Sequence, residues 1–298
     1  MLEDLESYIR AGRIASAVRR NIKDIVREGG SILKLCEDVE NIIRGLGGEP
    51  AFPCNVGVNY VAAHYTSSIN DESIIPPKSI VKVDFGVHVN GCIADTAITI
   101  NFNPELDFLI KAVEEALEKA IESIKPGVKY SDIGSIVEDT VKRYGCKPIR
   151  NLCGHSMNKY QIHAGVSIPN IRSINLGRFK ADGVYAIEPF TTVQNADGEV
   201  IDGPPGNIYR LLKLKPPKNG LARNLFELIK SKYYTLPFTP RWFIKAFNNK
   251  DLNEAFKSLI KSKHVLSYPI LIEKSKMPIA QAEHTVIISN GNVIVTTE

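Results

Sequence analysis

The stretch VKVDFGVHVNGCIADTAI, residues 81–98, decides the fold because it predicts a β-hairpin that carries two acids. Asn90-Gly91 stands between two alternating apolar runs, and this dipeptide suits a two-residue type I′ turn because both turn positions require positive φ. Each run contains an aspartate, Asp84 or Asp95, where a core-facing strand would normally place valine. The function of the chain has to account for these two carboxylates.

The two-residue turn also sets the register of the hairpin. It places Asp84 opposite Ala97 and Asp95 opposite Gly86. Opposed residues share a face of the sheet, so the two carboxylates become diagonal neighbours with Cβ atoms roughly 7 Å apart. Gly86 is expected to leave open space beside them. The opposite face is apolar and is expected to form an ordinary core: Val81, Val83, Phe85, Val87, Ala94, Ile98 and Ile100.

Two anions this close on a covered sheet cannot both stay charged without a compensating cation. From Asp84 and Asp95 alone, an ion-pair network that uses Lys82 or an arginine and a metal site are equally open. A carboxylate dyad that shares one proton for acid–base chemistry is a third interpretation. Further ligands are needed to decide between them.

Candidate ligands occur later in the chain. His155 and His163 lie in NLCGHSMNKYQIHAG, and their spacing excludes the HExxH pattern of a helix-borne zinc peptidase site. Glu188 in VYAIEPF and Glu283 in AQAEHTVII interrupt apolar strand runs, where a buried carboxylate is costly. Carboxylates and imidazole suit Mn²⁺, Co²⁺, Fe²⁺ or Zn²⁺. A dinuclear metal centre, with cations roughly 3.5–4 Å apart, would explain why all these acids are buried.

The overall composition indicates a soluble enzyme. The chain has 298 residues, of which 44% are hydrophobic, enough for one large or two medium domains. No apolar run approaches the ~20 residues of a membrane span, and the acidic start lacks the pattern of a secretory signal, so we expect a cytoplasmic protein. The five cysteines lack the spacing of a disulfide framework or a structural zinc site.

Two similar halves are indicated by the order of the predicted elements. Amphipathic periodicity predicts four helices, at 3–28, 31–48, 104–124 and 131–145. Short strands are expected at 147–153 and 183–193. A second Asn-Gly hairpin follows near residue 290, with its turn at Asn290-Gly291. Helices followed by an acid-bearing hairpin thus occur twice, which hints at an internal duplication.

Residues 205–268 interrupt this scheme and are predicted to form an inserted helical subdomain, with helices near 221–233 and 251–263. The main domain then comprises residues 1–204 and 269–298. The insertion contains thirteen lysines and arginines against three acids, so it carries a net charge of +10 while the rest carries −6. Its aromatic run YYTLPFTPRWF could contact RNA bases, or it could form a small core with the charges facing water.

Taken in order, the motifs DFGVHVNGCIADTA, GHSMNKYQIHAG, YAIEPF and QAEHTV resemble the metal-ligand motifs of methionine aminopeptidases. The resemblance covers nearly the whole chain, and the insertion is similar to that of the archaeal type 2 enzymes. It implies an α/β pita-bread fold, in which pseudo-two-fold halves surround a curved antiparallel sheet and carry the inserted helical subdomain. It also implies two divalent ions (Co, Mn, Fe, Zn or Ni) on five ligands: Asp84, Asp95, His155, Glu188 and Glu283.

The same resemblance implies that the chain removes the initiator methionine from nascent proteins with a small second residue. A hydroxide that bridges the cations would attack the scissile carbonyl, and Glu188 would shuttle the proton. His163 would donate a hydrogen bond to the oxyanion, while His64 would contact the scissile amide nitrogen. Four residues are expected to line the methionine pocket: Phe52, Ile162, Tyr268 and Ile208.

Two alternatives remain beside this interpretation. One is a peptidase of the same fold that cleaves Xaa-Pro bonds, and the other is a relative that has lost its ligands and binds nucleic acid. Five intact ligand positions argue against the second. The expected partners are nascent polypeptide N-termini and, through the basic insertion, the ribosome, and we expect a monomer that does not bind membranes.

Overall fold

The hairpin at residues 81–98 forms with the predicted register in the computed structural model, which describes residues 4–174, 176–218 and 220–298. Strands β4 (Ile80–Val89) and β5 (Cys92–Asn101) are antiparallel, and Asp84 pairs with Ala97 as expected. The turn residue Asn90 has a φ of 52°, as a type I′ turn requires.

The helices of both halves are confirmed. The described residues form α1 (Leu5–Ile25), α2 (Ile32–Gly45), α3 (Asp107–Glu122), α4 (Tyr130–Arg143), α5 (Gly220–Tyr233) and α6 (Asn249–Lys261). Helix α2 begins at a serine cap, because the Ser31 hydroxyl accepts a hydrogen bond from the Lys34 amide. Within the described residues, each helix is too short or too polar to cross a bilayer.

Short strands complete the fold. In the first half they are β1 (Glu49–Pro50), β2 (Asn55–Val58) and β3 (Val61–Ala63). The middle of the chain supplies β6 (Cys146–Pro148), β7 (Cys153–Met157), β8 (Ser167–Pro169), β9 (Gly183–Ile187), β10 (Phe190–Val193) and β11 (Val200–Leu211). The last part supplies β12 (Val265–Glu273), β13 (Ile279–Gln281), β14 (His284–Ser289) and β15 (Asn292–Val295).

Two layered halves face each other. In the first, α1 and α2 cover the apolar face of the β4–β5 hairpin, and the predicted core residues of that face lie in one buried cluster. In the second, α3 and α4 pack against the sheet of order β15-β14-β9-β7-β8. The halves join where the Glu283 amide donates to the Ala97 carbonyl at 3.2 Å. Arg19 of α1 secures this joint by donating to the Ala97 carbonyl at 2.6 Å.

Both segments predicted as short strands in the middle of the chain do contain strands, but each is divided into two. The strand expected at 147–153 is two strands, β6 and β7, separated by a turn in which the Asn151 side chain pairs with both backbone groups of Val200. The strand expected at 183–193 breaks at Glu188-Pro189, and β9 and β10 belong to different sheets. Proline has no amide to donate to a ladder, so the chain changes sheets there.

The basic insertion is held on a pair of strands. Strands β11 and β12 are antiparallel, and α5 and α6 lie in the connection between them. Phe238 and Phe243, from the aromatic run of the insertion, are 0% and 1% exposed in a core shared with both helices. The interpretation that these two rings stack on RNA bases is therefore wrong, and the alternative of a small aromatic core describes them.

Candidate metal centre and substrate cavity

A cavity of about 330 Å³ lies between the two halves and the strands of the insertion. Its lining contains every site residue that the sequence predicted: Phe52, His64, Asp84, Asp95, His155, Ile162, His163, Glu188, Ile208, Tyr268 and Glu283. These residues come from ten different strands or loops, so only the tertiary fold brings them together. The cavity is therefore the candidate functional site.

The predicted ligands converge at one side of this cavity. Asp95, His155 and Glu283 each offer a ligand atom, and these atoms lie within 4.8 Å of one another. His155 Nε2 lies 3.6 Å from Asp95 Oδ2 and 3.4 Å from Glu188 Oε1. Asp84 sits diagonally across the hairpin from Asp95. Two strands of the first half and three segments of the second thus supply the cluster.

Burial makes the charged forms of these groups costly. It raises the pKa of Asp84 to about 7, and it raises the pKa of Asp95 well above the ordinary value, with the Asp84 charge adding to the effect. The pKa values of Glu188 and Glu283 rise for the same two reasons, burial and the neighbouring carboxylates. Burial lowers the pKa of His155 to about 3, so its ring is neutral and free to act as a ligand.

The ion-pair network does not form. Among the described residues, no lysine or arginine nitrogen lies within 4.0 Å of a carboxylate of the cluster. Lys82, the proposed counterion, donates instead to the carbonyl oxygens of Asn59 and Ile279, each at 2.9 Å. Asp84 Oδ1 is buried without a hydrogen-bond partner. The charge of Arg19 opposes the rise in the pKa of Glu283, but within the described part of the chain Arg19 forms no ion pair with the cluster. An acceptor-rich cluster of this composition fits hard or borderline divalent cations.

The space beside Gly86 is filled, contrary to expectation. A Cβ atom at Gly86 would lie 2.4 Å from Cε1 of Phe52, so the ring occupies the place that the missing side chain leaves. Phe52 is 8% exposed and also lines the cavity. The absence of a side chain at Gly86 therefore accommodates the Phe52 ring, which forms a wall of the cavity, and does not leave room for the acids.

Replacing Gly86 by alanine should displace the Phe52 ring into the cavity. We expect a loss of about 1–3 kcal/mol in the free energy of unfolding and a higher KM for substrates that use this wall. Urea denaturation and peptidase kinetics measure the two effects. Gly45→Ala is the matched control, since nothing lies within 4 Å of its Cβ position in α2, and it should stabilise the chain slightly. Equal behaviour of the two variants would contradict this packing.

Two further histidines border the cluster. His64 has a φ of 65°, the left-handed region that a non-glycine residue adopts only when its surroundings hold it there. Its Nδ1 lies 3.2 Å from the Pro269 carbonyl, and burial lowers its pKa to about 4. The neutral ring donates from Nδ1, so Nε2 is its acceptor. The His163 ring packs 4.4 Å from that of His155.

Gln281, which the sequence did not indicate as a site residue, contacts two of the predicted ligands. Gln281 is 1% exposed, and its Nε2 donates to Glu283 Oε2 at 3.4 Å. A hydrogen bond from the same side chain opposes the burial that raises the pKa of Asp84. It precedes Glu283 by two positions in extended chain, and residues so spaced share a face, so the spacing could have pointed to it.

Replacing Gln281 by leucine should weaken metal binding about 10–100-fold, because such partners orient and polarise ligating carboxylates. Isothermal titration of the metal-free protein with Mn²⁺ measures the affinity. Gln194→Leu, an exposed site in a loop outside the cavity, should leave the affinity unchanged. An unaltered affinity in Gln281→Leu would assign this glutamine to packing alone.

A family comparison agrees with this geometry. The model of metallopeptidase family M24 matches residues 6–220. The chain belongs to this family. The metal-site interpretation of the carboxylate cluster thus has support independent of the coordinates.

Full-length relatives narrow the class further. The methionine aminopeptidase of Methanothermobacter thermautotrophicus is 43% identical over 100% of both chains. That of Methanocaldococcus jannaschii is 42% identical over 100% of this chain and 99% of its own. Within family M24, the chain therefore groups with the methionine aminopeptidases of archaea, as the sequence motifs predicted.

Solved structures share the fold. A thermophilic Arx1 superposes with a TM-score of 0.84 at 17% identity, covering 99% of this chain and 91% of its own. The Thermotoga maritima methionine aminopeptidase gives 0.71 at 20% identity, covering 100% and 98%. A Pyrococcus furiosus prolidase gives 0.64 at 18% identity, covering 100% and 64%. The predicted pita-bread fold is confirmed, and at these identities the likeness shows the fold alone.

Proposed function

We propose that this chain removes the N-terminal methionine from polypeptides with a small second residue. The observation that carries the proposal is the cluster of four carboxylates and one imidazole in a cavity that also has apolar walls. Full-length similarity to methionine aminopeptidases supports the same activity.

The cluster would hold two divalent cations. Asp84 and Asp95 would bind from the hairpin, and His155, Glu188 and Glu283 from the second half. Bound cations supply Lewis acidity, which activates water near neutral pH and polarises a carbonyl. The donor set excludes none of Co, Mn, Fe, Zn or Ni, since all accept carboxylate and imidazole ligands.

The chain's own groups would move the proton and orient the peptide. Glu188, whose side chain is 15% exposed, can receive a proton from the attacking water and deliver it to the leaving amine. His64 Nε2, an acceptor, can take the hydrogen bond of the scissile amide N–H. His163 can donate to the oxygen on which negative charge develops.

Apolar side chains would bind the methionine. Phe52, Ile162 and Ile208 are buried and line the cavity together with Tyr268. An unbranched thioether fits such a wall, whereas discrimination against a similar apolar side chain is expected to be modest, about 1–3 kcal/mol per methylene-sized difference.

Metal-dependent hydrolysis of short peptides tests the proposal. The metal-free protein should be inactive, and Mn²⁺ or Co²⁺ should restore release of methionine from Met-Ala-Ser but not from Met-Trp-Ser. Elemental analysis should find two metal atoms per chain. Hydrolysis of Ala-Pro in preference to Met-Ala-Ser would establish the Xaa-Pro alternative, and metal binding without any turnover would establish a non-catalytic relative.

We also propose the context in which the chain acts. Residues 205–268 form a subdomain inserted into a catalytic domain of residues 1–204 and 269–298, and the chain works as a cytoplasmic monomer on nascent N-termini. Exposed lysines of the insertion, together with Leu212 and Leu214 at 45% and 66% exposure, provide a surface for the ribosome. Size-exclusion chromatography tests the monomer, and co-sedimentation that weakens with salt tests the ribosome contact.

A further inference from the structure

A guanidinium group stands at the rim of the cavity. Arg210 lies on β11 opposite Leu266 and is exposed to solvent. Its Cζ atom sits 5.9 Å from the ring centroid of Tyr268, a cation–π contact that positions the side chain. Tyr268 lines the cavity and meets the His64 ring edge-on, with centroids 5.3 Å apart. A chain of three side chains thus links the exterior cation to the interior.

This cation has no acidic partner in the part of the chain that the structure describes. No carboxylate of the described residues lies within 4.0 Å of Arg210, whereas exposed Arg150 and Arg172 both form ion pairs. Asp202, an exposed acid on the same strand, pairs with Leu271 of β12, whereas Arg210 pairs with Leu266.

The path of a substrate leads past this rim. If methionine occupies the apolar wall and the scissile bond lies at the carboxylates, the following residues must leave toward solvent. His163 is the exposed histidine among the lining residues and marks this exit. An extended chain advances about 3.3 Å per residue, so the third and fourth substrate residues come level with a long side chain at the rim.

We propose that Arg210 is a specificity-determining residue that favours substrates with an acidic side chain at the third or fourth position and disfavours basic ones there. The assignment rests on the proposed aminopeptidase function and adds a subsite to it. An exposed charge pair of this kind corresponds to a preference of about threefold for each charge at low salt. Salt should weaken the preference, because the pair is open to solvent.

Paired peptides test the assignment. For Met-Ala-Asp-Ser and Met-Ala-Lys-Ser, the ratio of kcat/KM values in the metal-loaded wild type should exceed about three in 20 mM salt and approach one in 500 mM. Arg210→Gln should bring the ratio to about one at low salt, Arg210→Glu should invert it, and Arg210→Lys should retain it. Arg223→Gln, which removes an exposed arginine of α5, should leave it at the wild-type value.

The outcomes separate this assignment from the function on which it rests. Cleavage of both peptides with the same ratio in wild type and Arg210→Gln would overturn the assignment alone. Failure of the wild type to cleave either peptide, with metal bound, would overturn the aminopeptidase function and the subsite together. An inverted ratio in Arg210→Glu with normal methionine release from Met-Ala-Ser would support both.

Discussion

Glu283→Gln is expected to lower kcat/KM for Met-Ala-Ser by about 10³-fold or more, a change of about 4 kcal/mol in the activation free energy. The substitution keeps the shape and the neighbouring Gln281, but it removes a charge that shares one site with Asp95 and His155. Stability should change in the opposite sense. Burial makes the Glu283 charge costly in the metal-free protein, so the metal-free variant should unfold at a temperature equal to or above that of the metal-free wild type.

Metal response distinguishes this loss from misfolding. Saturating Mn²⁺ at 100 times its dissociation constant should stabilise the wild type by about 2.7 kcal/mol and the variant far less. Glu273→Gln is the matched control, because Glu273 is equally buried but accepts hydrogen bonds from the Gly198 and Met277 amides. It should lower stability and keep the metal response. Full activity in Glu283→Gln would remove this carboxylate from the site.

Glu40→Ala is expected to cost about 3–5 kcal/mol in the free energy of unfolding, because it leaves a buried guanidinium without its partner. Glu40 on α2 is 1% exposed, and Arg241 in the insertion is 5% exposed. Arg241 Nη1 donates to Glu40 Oε2 at 2.6 Å, and the Trp242 indole donates to the same oxygen at 2.7 Å. The other carboxylate oxygen accepts from the Cys54 amide at 3.1 Å, two residues from the Phe52 wall.

Denaturation in urea measures this loss, and two variants calibrate it. Lys34→Ala breaks the exposed Lys34–Asp38 pair on the same helix and should cost less than about 1 kcal/mol. The double variant Glu40→Leu with Arg241→Met should be less destabilised than Glu40→Ala, because no unpaired charge remains. Should Glu40→Ala match Lys34→Ala in stability, the buried pair would have no role in fastening the insertion.

The sequence alone was sufficient where short-range rules decide the outcome. The Asn90-Gly91 turn determined the pairing of Asp84 and Asp95, because a two-residue turn and a period of two leave no freedom in register. Glu188 and Glu283 were predicted as ligands because burying a glutamate in an apolar strand is costly, whereas His155 was assigned from the resemblance of its motif. The register of a hairpin depends on residues that are neighbours in the chain, and the free-energy cost of burying a carboxylate depends on residue type. Both can be read from the sequence.

Contacts between distant segments could not be read in this way. The residues around Gly86 give no sign that the Phe52 ring packs against it. The sequence of α2 likewise does not show that Glu40 pairs with an arginine 201 residues later. The break at Glu188-Pro189 was missed for a related reason. Periodicity describes the faces of a strand, but the choice of sheet on either side of Pro189 is made by tertiary partners.

The contact between the two halves bears on the order in which the chain folds. Thr96 and Glu283, whose contact closes the site, are 187 residues apart in sequence and meet through a 2.8 Å hydrogen bond from the Thr96 hydroxyl to the Glu283 carbonyl. We expect such a non-local contact to form late in folding, because the entropy cost of closing a long loop precedes the stabilisation that the contact gives. During synthesis the hairpin can fold long before the last ligand exists. The proposed cation site would therefore be complete only after the final strands have folded, and peptidase activity would report that completion.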